Sequence, residues 1–103
     1  MPDSDTLIAA MRARTPALRG LGYRVRFEIT DTGDEMLLDG TGGSATVESG
    51  GGAADTVLRL SSEDLARLIA GRLSPMLAFS TGRLRVEGSR GVALKLASLL
   101  DED

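Results

Sequence analysis

The stretch of sequence that decides the fold runs from residue 71 to residue 88 and reads GRLSPMLAFSTGRLRVEG. Ser74 and Pro75 predict the start of a short helix, because proline at the first helical position loses no hydrogen bond there. Gly82 predicts the end of that helix. Residues 83–87 then alternate between charged and apolar side chains, which predicts a strand. A short helix is therefore expected to pass directly into a strand.

Helices are also predicted on both sides of this stretch. Downstream, Ser89 is expected to start a last helix. Its apolar residues recur at helical spacing, namely Val92, Leu96, Leu99 and Leu100. Upstream, Ser61 and Asp64 form a capping-box pattern, which predicts a helix that ends at Gly71. The apolar face of this helix consists of Leu65, Leu68 and Ile69.

The first half of the chain predicts one helix and four strands. Ser4 is the expected N-cap of a helix over residues 5–13. From Tyr23 to Thr30 the apolar residues recur with a period of two, which is the clearest strand signal in the sequence. Three shorter strands follow, at residues 36–39, 44–48 and 56–60. The order of elements predicts an α+β domain in which helices cover one face of one sheet.

The composition excludes most enzyme chemistry. The chain contains no cysteine, histidine or tryptophan. Thiol catalysis, disulfides and thiolate zinc sites are therefore excluded, and the commonest general base is missing. A length of 103 residues with 42% hydrophobic and 26% charged residues suits a single globular domain over residues 1–103. We predict a protein that is not an enzyme and that needs no cofactor and no metal.

Three motifs that could suggest a reactive site are better explained by local structure. The glycines at residues 40–43 lead into a strand and are not followed by lysine, so they predict a turn and not a phosphate loop. The carboxylates of Asp31, Asp34 and Glu35 lack the spacing of a calcium loop and predict a hairpin turn. The serines before the predicted helices are explained as caps, because no histidine is present to activate them.

Residues 71–88 resemble the sterol carrier protein type two family, the lipid-binding domain of non-specific lipid transfer proteins. The shared features are a Gly-basic-Leu-polar-Pro-Met stretch, the pair Ala78-Phe79, and a Gly-basic-Leu-x-Val-x-Gly stretch that begins at Gly82. The resemblance extends from Asp55 to about Leu96, and upstream it rests on the order of elements and the strand end at Asp39-Gly40. It implies a five-stranded mixed sheet in the order 3-2-1-4-5, helices on one face, and an apolar tunnel between the two layers.

Carried over by position, the resemblance implies that apolar side chains from the sheet and the helices form the tunnel walls. The sheet side would be Phe27, Ile29, Met36 and Leu38. The helical side would be Leu65, Leu68, Ile69, Leu73, Met76, Leu77 and Phe79, with Leu96, Leu99 and Leu100 near the end of the tunnel. An apolar cavity of this kind binds an acyl chain or a sterol without acid–base chemistry. The residues alone leave an alternative open, since the same periodicity also describes a close-packed core.

Alternation and the implied strand order together place five arginines on the outer face of the sheet, namely Arg24, Arg26, Arg59, Arg83 and Arg85. We predict that this face contacts anionic lipid headgroups or an acidic protein during ligand delivery. The alternative is a solvated face whose charge Glu28 and Glu87 partly neutralise. The net charge of −3 and the absence of outward aromatic residues argue against nucleic acid as a partner.

The predicted function is that of a small soluble lipid carrier whose ligand is a fatty acid, an acyl-CoA or a sterol-like molecule. A cytoplasmic location is expected, because the N-terminus lacks the pattern of a signal peptide and no stretch is long and apolar enough to cross a membrane. The alternative is a non-enzymatic accessory or docking subunit for a lipid- or quinone-pathway enzyme. A continuous cavity would favour the carrier, whereas a filled core and an exposed apolar patch would favour the accessory subunit.

Overall fold

A computed structural model describes residues 3–101 of the chain. The order of elements is the predicted one, with a short 3-10 helix at Thr15–Leu18 in addition. The helices are α1 (Ser4–Ala13), α2 (Ser62–Ile69), α3 (Pro75–Ser80) and α4 (Arg90–Asp101). The strands are β1 (Arg24–Ile29), β2 (Glu35–Asp39), β3 (Thr46–Ser49), β4 (Thr56–Leu60) and β5 (Arg85–Gly88). None of the helices within residues 3–101 is long and apolar enough to cross a membrane.

The five strands form one mixed sheet in the order β3-β2-β1-β4-β5. β1 lies at the centre, antiparallel to β2 and parallel to β4, and both outer pairs are antiparallel. Phe27 of β1 is in register with Met36 of β2 and Leu58 of β4. Residues that are in register across neighbouring strands point to the same face, so these side chains form a layer on the inner face. The α+β fold and the strand order implied by the family resemblance are confirmed.

The core lies between the inner face of the sheet and the helices. α1 packs over β2 and β3, α4 packs over β4 and β5, and α2 packs against α1. The largest side chains that are fully buried come from both layers, and they include Phe27, Met11, Met36, Leu38, Leu65 and Leu96. Because helices cover one face of the sheet and the other face meets solvent, apolar and polar residues alternate along the strands.

The helix starts follow the predicted capping chemistry with one exception. Ser61 caps α2, and its hydroxyl oxygen accepts a hydrogen bond from the amide of Asp64 at 3.2 Å. The predicted cap of α1 at Ser4 is wrong, because Asp3 caps this helix and accepts a hydrogen bond from the amide of Thr6 at 2.8 Å. A carboxylate is also favoured at this position by the positive end of the helix dipole.

β5 begins two residues later than the predicted strand. The amides of Arg83 and Leu84 donate to the carbonyl oxygen of Ala78, at 2.9 and 3.1 Å. These two residues therefore close the C-terminal end of α3 and do not enter the sheet. As a result, Arg83 lies in the turn between α3 and β5.

Two polar side chains connect elements that are distant in sequence. Arg14 donates to the carbonyl oxygen of Ile69 at 2.9 Å and to that of Leu100, so one guanidinium joins the last turns of α2 and α4. Asp31, in the β1–β2 turn, accepts hydrogen bonds from the hydroxyl and the amide of Ser62, at 2.6 and 2.9 Å. The hydroxyl of Ser62, followed by its amide, lowers the pKa of the Asp31 carboxyl below its ordinary value. The sequence patterns did not predict either connection.

Candidate functional site

An apolar groove of about 200 Å³ lies between α3, the start of β5 and the first half of α4. Its lining is almost wholly apolar. The residues that line it are Pro75, Met76, Phe79, Leu84, Val86, Arg90, Ala93, Leu94 and Ala97. The groove therefore offers an apolar surface that is open to solvent at one edge of the molecule.

The spacing of residues on α4 explains how this helix serves both the core and the groove. Val92, Leu96 and Leu100 are buried and lie four residues apart, which places them on one face. Residues 90, 93, 94 and 97 lie on the adjacent face, because offsets of three, four and seven also follow the helical period. The groove face carries alanine at residues 93 and 97, and these small side chains leave space beside α3.

α3 exposes apolar side chains that would ordinarily be buried. Ala78 is its buried residue, whereas Met76, Leu77 and Phe79 are 61%, 58% and 43% exposed. Met76 and Phe79 border the groove, whereas Leu77 is exposed and is not part of the groove lining. Leu94, on the facing helix, is 53% exposed. Apolar side chains exposed next to one another, unlike single scattered ones, are a feature of binding surfaces.

Arg90 is the charged residue of the groove lining. Its guanidinium carbon lies 5.6 Å from the centre of the Phe79 ring, within the range of a cation–π contact. The stem of Arg90 therefore extends the apolar wall while the guanidinium remains at its rim. This arrangement can hold an apolar chain in the groove and an anionic group at the mouth.

The predicted tunnel residues divide into two groups in the structure. Ten of them belong to the buried core, namely Phe27, Ile29, Met36, Leu38, Leu65, Leu68, Ile69, Leu73, Leu96 and Leu100, and Leu99 packs against it half-buried. Met76, Leu77 and Phe79 are exposed on α3, and two of these, Met76 and Phe79, line the groove. The tunnel between sheet and helices stays a prediction.

The sequence patterns missed most of the groove. Pro75 was recognised as a helix start, and Leu84 and Val86 as strand residues, but none was expected to line a site. The groove face of α4 was missed because alanine and arginine do not contribute to a hydrophobic pattern. The signal that could have found it is a second set of helically spaced residues, Arg90, Ala93, Leu94 and Ala97, beside the buried stripe.

The five arginines of the predicted partner face differ in their surroundings. Arg24 pairs with Asp39 at 3.3 Å and Arg26 pairs with Glu28 at 3.0 Å. Arg59 pairs with Glu28 and with Glu87. The hydrogen bond from Arg59, together with that from Arg26, lowers the pKa of Glu28 despite some desolvation of its carboxyl.

Arg85 and Arg83 complete this set. Arg85 is exposed on β5 and is in register with Arg59, so two like charges are neighbours there. Among residues 3–101, neither Arg83 nor Arg85 forms an ion pair. Of these five arginines, the two without an ion pair in the described part of the chain thus lie at or just before β5, while those at the centre of the outer sheet face are paired. The role of this face in partner binding stays a prediction.

Metal-binding groups do not come together in the part of the chain that the structure describes. No group of three or more acidic side chains between residues 3 and 101 could hold a metal ion.

The chain matches the description "SCP-2 sterol transfer family" over residues 5–101. A curated relative, hydroxysteroid dehydrogenase-like protein 2 from Bos taurus, is 30% identical over 80 residues, which are 75% of this chain. The chain spans only 19% of that protein and 12% of the one from Xenopus laevis.

Solved structures share the fold. Palmitated SCP2L2 from Aedes aegypti superposes with a TM-score of 0.77 at 21% identity, covering 98% of this chain and 96% of the other. The UbiJ-SCP2 ubiquinone synthesis protein gives a TM-score of 0.70 at 22% identity, covering 98% and 93%. The family match spans nearly the whole described chain, and the sheet order and helix arrangement agree with it. The chain belongs to the SCP-2 sterol transfer family and shares the fold of its solved structures.

Proposed function

We propose that this protein is a non-enzymatic carrier of acidic lipids such as fatty acids, and that the groove between α3 and α4 is where the acyl chain binds. The observation that carries the proposal is an open, almost wholly apolar groove whose rim bears one guanidinium, that of Arg90. The similar fold of a palmitated protein from Aedes aegypti supports the class of ligand. The cytoplasmic location expected from the sequence is part of this proposal.

The groove can supply useful affinity from apolar contact alone. Each methylene removed from water contributes about 0.8 kcal/mol. Ten such groups would contribute roughly 8 kcal/mol, which is close to the free energy of a micromolar complex before ordering costs are subtracted. A carboxylate beside Arg90 adds a charge-assisted hydrogen bond at the mouth. A free fatty acid is therefore expected to bind more tightly than its methyl ester.

The groove must widen to enclose a long acyl chain, because ligand sites usually measure roughly 300–1,000 Å³. α3 is suited to move, since Ala78 is its buried residue and glycines flank it on both sides. Gly71 and Gly82 have φ values of +75° and +79°, which other residues rarely adopt. A movement of α3 about Gly82 breaks the hydrogen bonds from the amides of Arg83 and Leu84 to Ala78, but none between strands of the sheet. Methionine at residue 76 can follow such a movement because its side chain is flexible.

Displacement of a fluorescent fatty acid tests the proposal with a pair of variants on α4. Ala97→Phe places a ring inside the groove and is expected to weaken binding at least about tenfold, since the loss of two or more methylene contacts costs about 1.6 kcal/mol. Ser98→Phe adds the same ring at an exposed residue outside the groove lining and is expected to bind like the wild-type protein. Circular dichroism establishes that both variants are folded.

The possible outcomes distinguish an error in the location of the binding site from an error in the proposed carrier function. Equal binding by both variants would show that the acyl chain lies elsewhere, for instance in the predicted tunnel between sheet and helices. A wild-type protein that displaces no fluorescent fatty acid, and from which organic extraction and mass spectrometry recover no lipid, would contradict the carrier function itself.

A second candidate is the accessory or docking subunit for a lipid- or quinone-pathway enzyme. The observation that favours it is the exposure of apolar side chains on α3 beside a continuous buried core. The fold of the UbiJ-SCP2 ubiquinone synthesis protein is consistent with such a role. Co-purification of one stoichiometric protein partner, together with no bound lipid, would favour this candidate over the carrier.

A further inference from the structure

We propose that the α3 edge of the molecule docks onto an anionic membrane surface, with the exposed side chains of α3 inserted among the lipids and flanking arginines against the headgroups. We define this α3 docking surface by Met76, Leu77, Phe79, Leu94, Arg72 and Arg83. The inference goes beyond ligand binding, because vesicle binding through this surface needs no occupied groove.

The apolar part of the surface is compact and protrudes. Met76, Leu77 and Phe79 are all more than two-fifths exposed within one short helix, and Leu94 is exposed beside them. Leu77 does not border the groove, so holding a ligand there does not explain its exposure. Apolar side chains that project together from one edge can enter the boundary between headgroups and acyl chains.

The charged part of the surface distinguishes a bilayer from other apolar partners. Arg72 precedes α3 and Arg83 follows it, and both are exposed. Within residues 3–101, neither of these arginines has an ion-pair partner. The two exposed arginines therefore bracket α3 in the chain, as expected of a surface that meets anionic headgroups.

The distribution of charge along the chain points to the same edge. Residues 65–100 contain six cations and a single carboxylate, Glu87, whereas residues 3–64 contain six cations and eleven carboxylates. Glu87 is paired with Arg59 on the outer sheet face, and Arg67 is paired with Asp64 at 3.8 Å. Asp101 begins an acidic run in the sequence, and about 16 Å of helix separates it from Arg90. Residues 71–84, which contain α3 and its flanking turns, thus carry two cations and no carboxylate in a chain whose net charge is −3.

Co-sedimentation with vesicles tests the proposal. The wild-type chain is expected to bind vesicles of equal parts phosphatidylglycerol and phosphatidylcholine, to bind phosphatidylcholine alone weakly, and to dissociate at high salt. Arg72→Glu with Arg83→Glu is expected to weaken binding by at least about 25-fold, since each basic residue near an anionic surface contributes about fivefold. The matched control, Arg24→Glu with Arg85→Glu, has the same net charge and changes the predicted partner face of the sheet instead.

A second pair of variants tests the apolar contribution. Leu77→Asp is expected to abolish binding to the mixed vesicles, because it places a carboxylate at the centre of the inserted cluster. Tyr23→Asp adds the same charge at another exposed ring, which lies beside Lys95 and away from the groove, and is expected to bind far better than Leu77→Asp. Circular dichroism identifies any variant that is unfolded, and such a variant is excluded from the comparison.

Several results would overturn the proposal. These are the absence of wild-type binding to the mixed vesicles, equal binding by the two charge-reversal variants, or greater weakening by the sheet-face pair. A stable dimer that is disrupted by Leu77→Asp would also overturn it, since a second copy would then cover the surface. Displacement of a fluorescent fatty acid, measured on the same wild-type sample, keeps these outcomes separate from a failure of the carrier function.

Discussion

Two phenylalanines occupy opposite kinds of environment in this protein. Phe27 is fully buried at the centre of the sheet, whereas Phe79 is 43% exposed on α3. We call the surroundings of Phe27 the filled region because its side chains are buried, with strands on both sides of β1 and helices above the sheet. The open region around Phe79 has only α4 and β5 as neighbours on the groove side. Apolar composition is therefore shared by both regions, and the layers of the fold decide which one closes.

The largest expected difference between the two regions follows from the same substitution at both phenylalanines. Phe27→Ala is expected to lower the free energy of unfolding by about 3–5 kcal/mol, because it removes a fully buried ring from the core. Phe79→Ala is expected to cost about 1–2 kcal/mol, because the ring is 43% exposed and its removal leaves no enclosed cavity. Urea unfolding followed by circular dichroism measures both. Similar losses in the two variants would show that α3 is as tightly packed as the sheet centre.

The sequence predicted the filled region better than the open one. Alternation in β1 and the helical stripe of Val92, Leu96 and Leu100 report burial directly, because both depend on one apolar face. The motif from Gly71 to Gly88 also led to the correct strand order through the family it resembles. Periodicity could not show that Met76 and Leu77 are exposed, since an apolar residue contributes equally to the hydrophobic pattern whether it is buried or exposed. That difference depends on how far α3 lies from the sheet, which is a tertiary property.

Polar connections were equally hidden in the sequence. Asp31 was recognised only as a turn residue, and Arg14 was not singled out at all. Their partners, Ser62 and the carbonyl oxygens of Ile69 and Leu100, lie 31 to 86 residues away. Such contacts have no local signature, because they depend on elements that meet only after folding.

Two glycines provide a comparison with effects of intermediate size. Replacing each by alanine is expected to change the free energy of unfolding in opposite directions. A Cβ atom on Gly40 would lie 2.8 Å from the Cβ atom of Leu21, which is fully buried. Gly40→Ala is therefore expected to destabilise the protein by about 1–3 kcal/mol through overpacking. Gly91, on the exposed side of α4, has its nearest atom at an ordinary 3.7 Å. Gly91→Ala is expected to stabilise the protein by up to about 1 kcal/mol, because alanine favours the helix.

Thermal and urea unfolding of both alanine variants measures this contrast. A destabilised Gly91→Ala would mean that the start of α4 is more closely packed than its exposure indicates. An unaffected Gly40→Ala would mean that Leu21 can move aside, and that the filled region is less rigid than its burial suggests.

The smallest expected effect concerns the helix starts of the two regions and depends on pH. α2, in the filled region, receives a cap from Ser61 and a second contact from Asp31 to Ser62. α3 has the single cap of Ser74, which accepts from the amide of Leu77 at 3.4 Å. The Ser62 hydroxyl and amide hold the pKa of Asp31 below its unfolded value of about 3.9. The stability that this carboxylate contributes is therefore present above about pH 4 and is lost as the pH falls through the lower, folded value.

Asp31→Asn is accordingly expected to lower the urea midpoint by a constant amount between about pH 5 and pH 7, and to converge with the wild-type protein in stronger acid. Asp34→Asn, an exposed carboxylate in the same turn, serves as the control for a change in overall charge. Ser74→Ala is expected to shift the midpoint equally at every pH, since no carboxylate takes part in that cap. Two results would contradict this account. One is an effect of Ser74→Ala on the midpoint that changes with pH, and the other is an effect of Asp31→Asn that persists in strong acid. The start of α2 is thus expected to become less stable in acid, whereas the Ser74 cap of α3 is expected to contribute the same stability at acid and neutral pH.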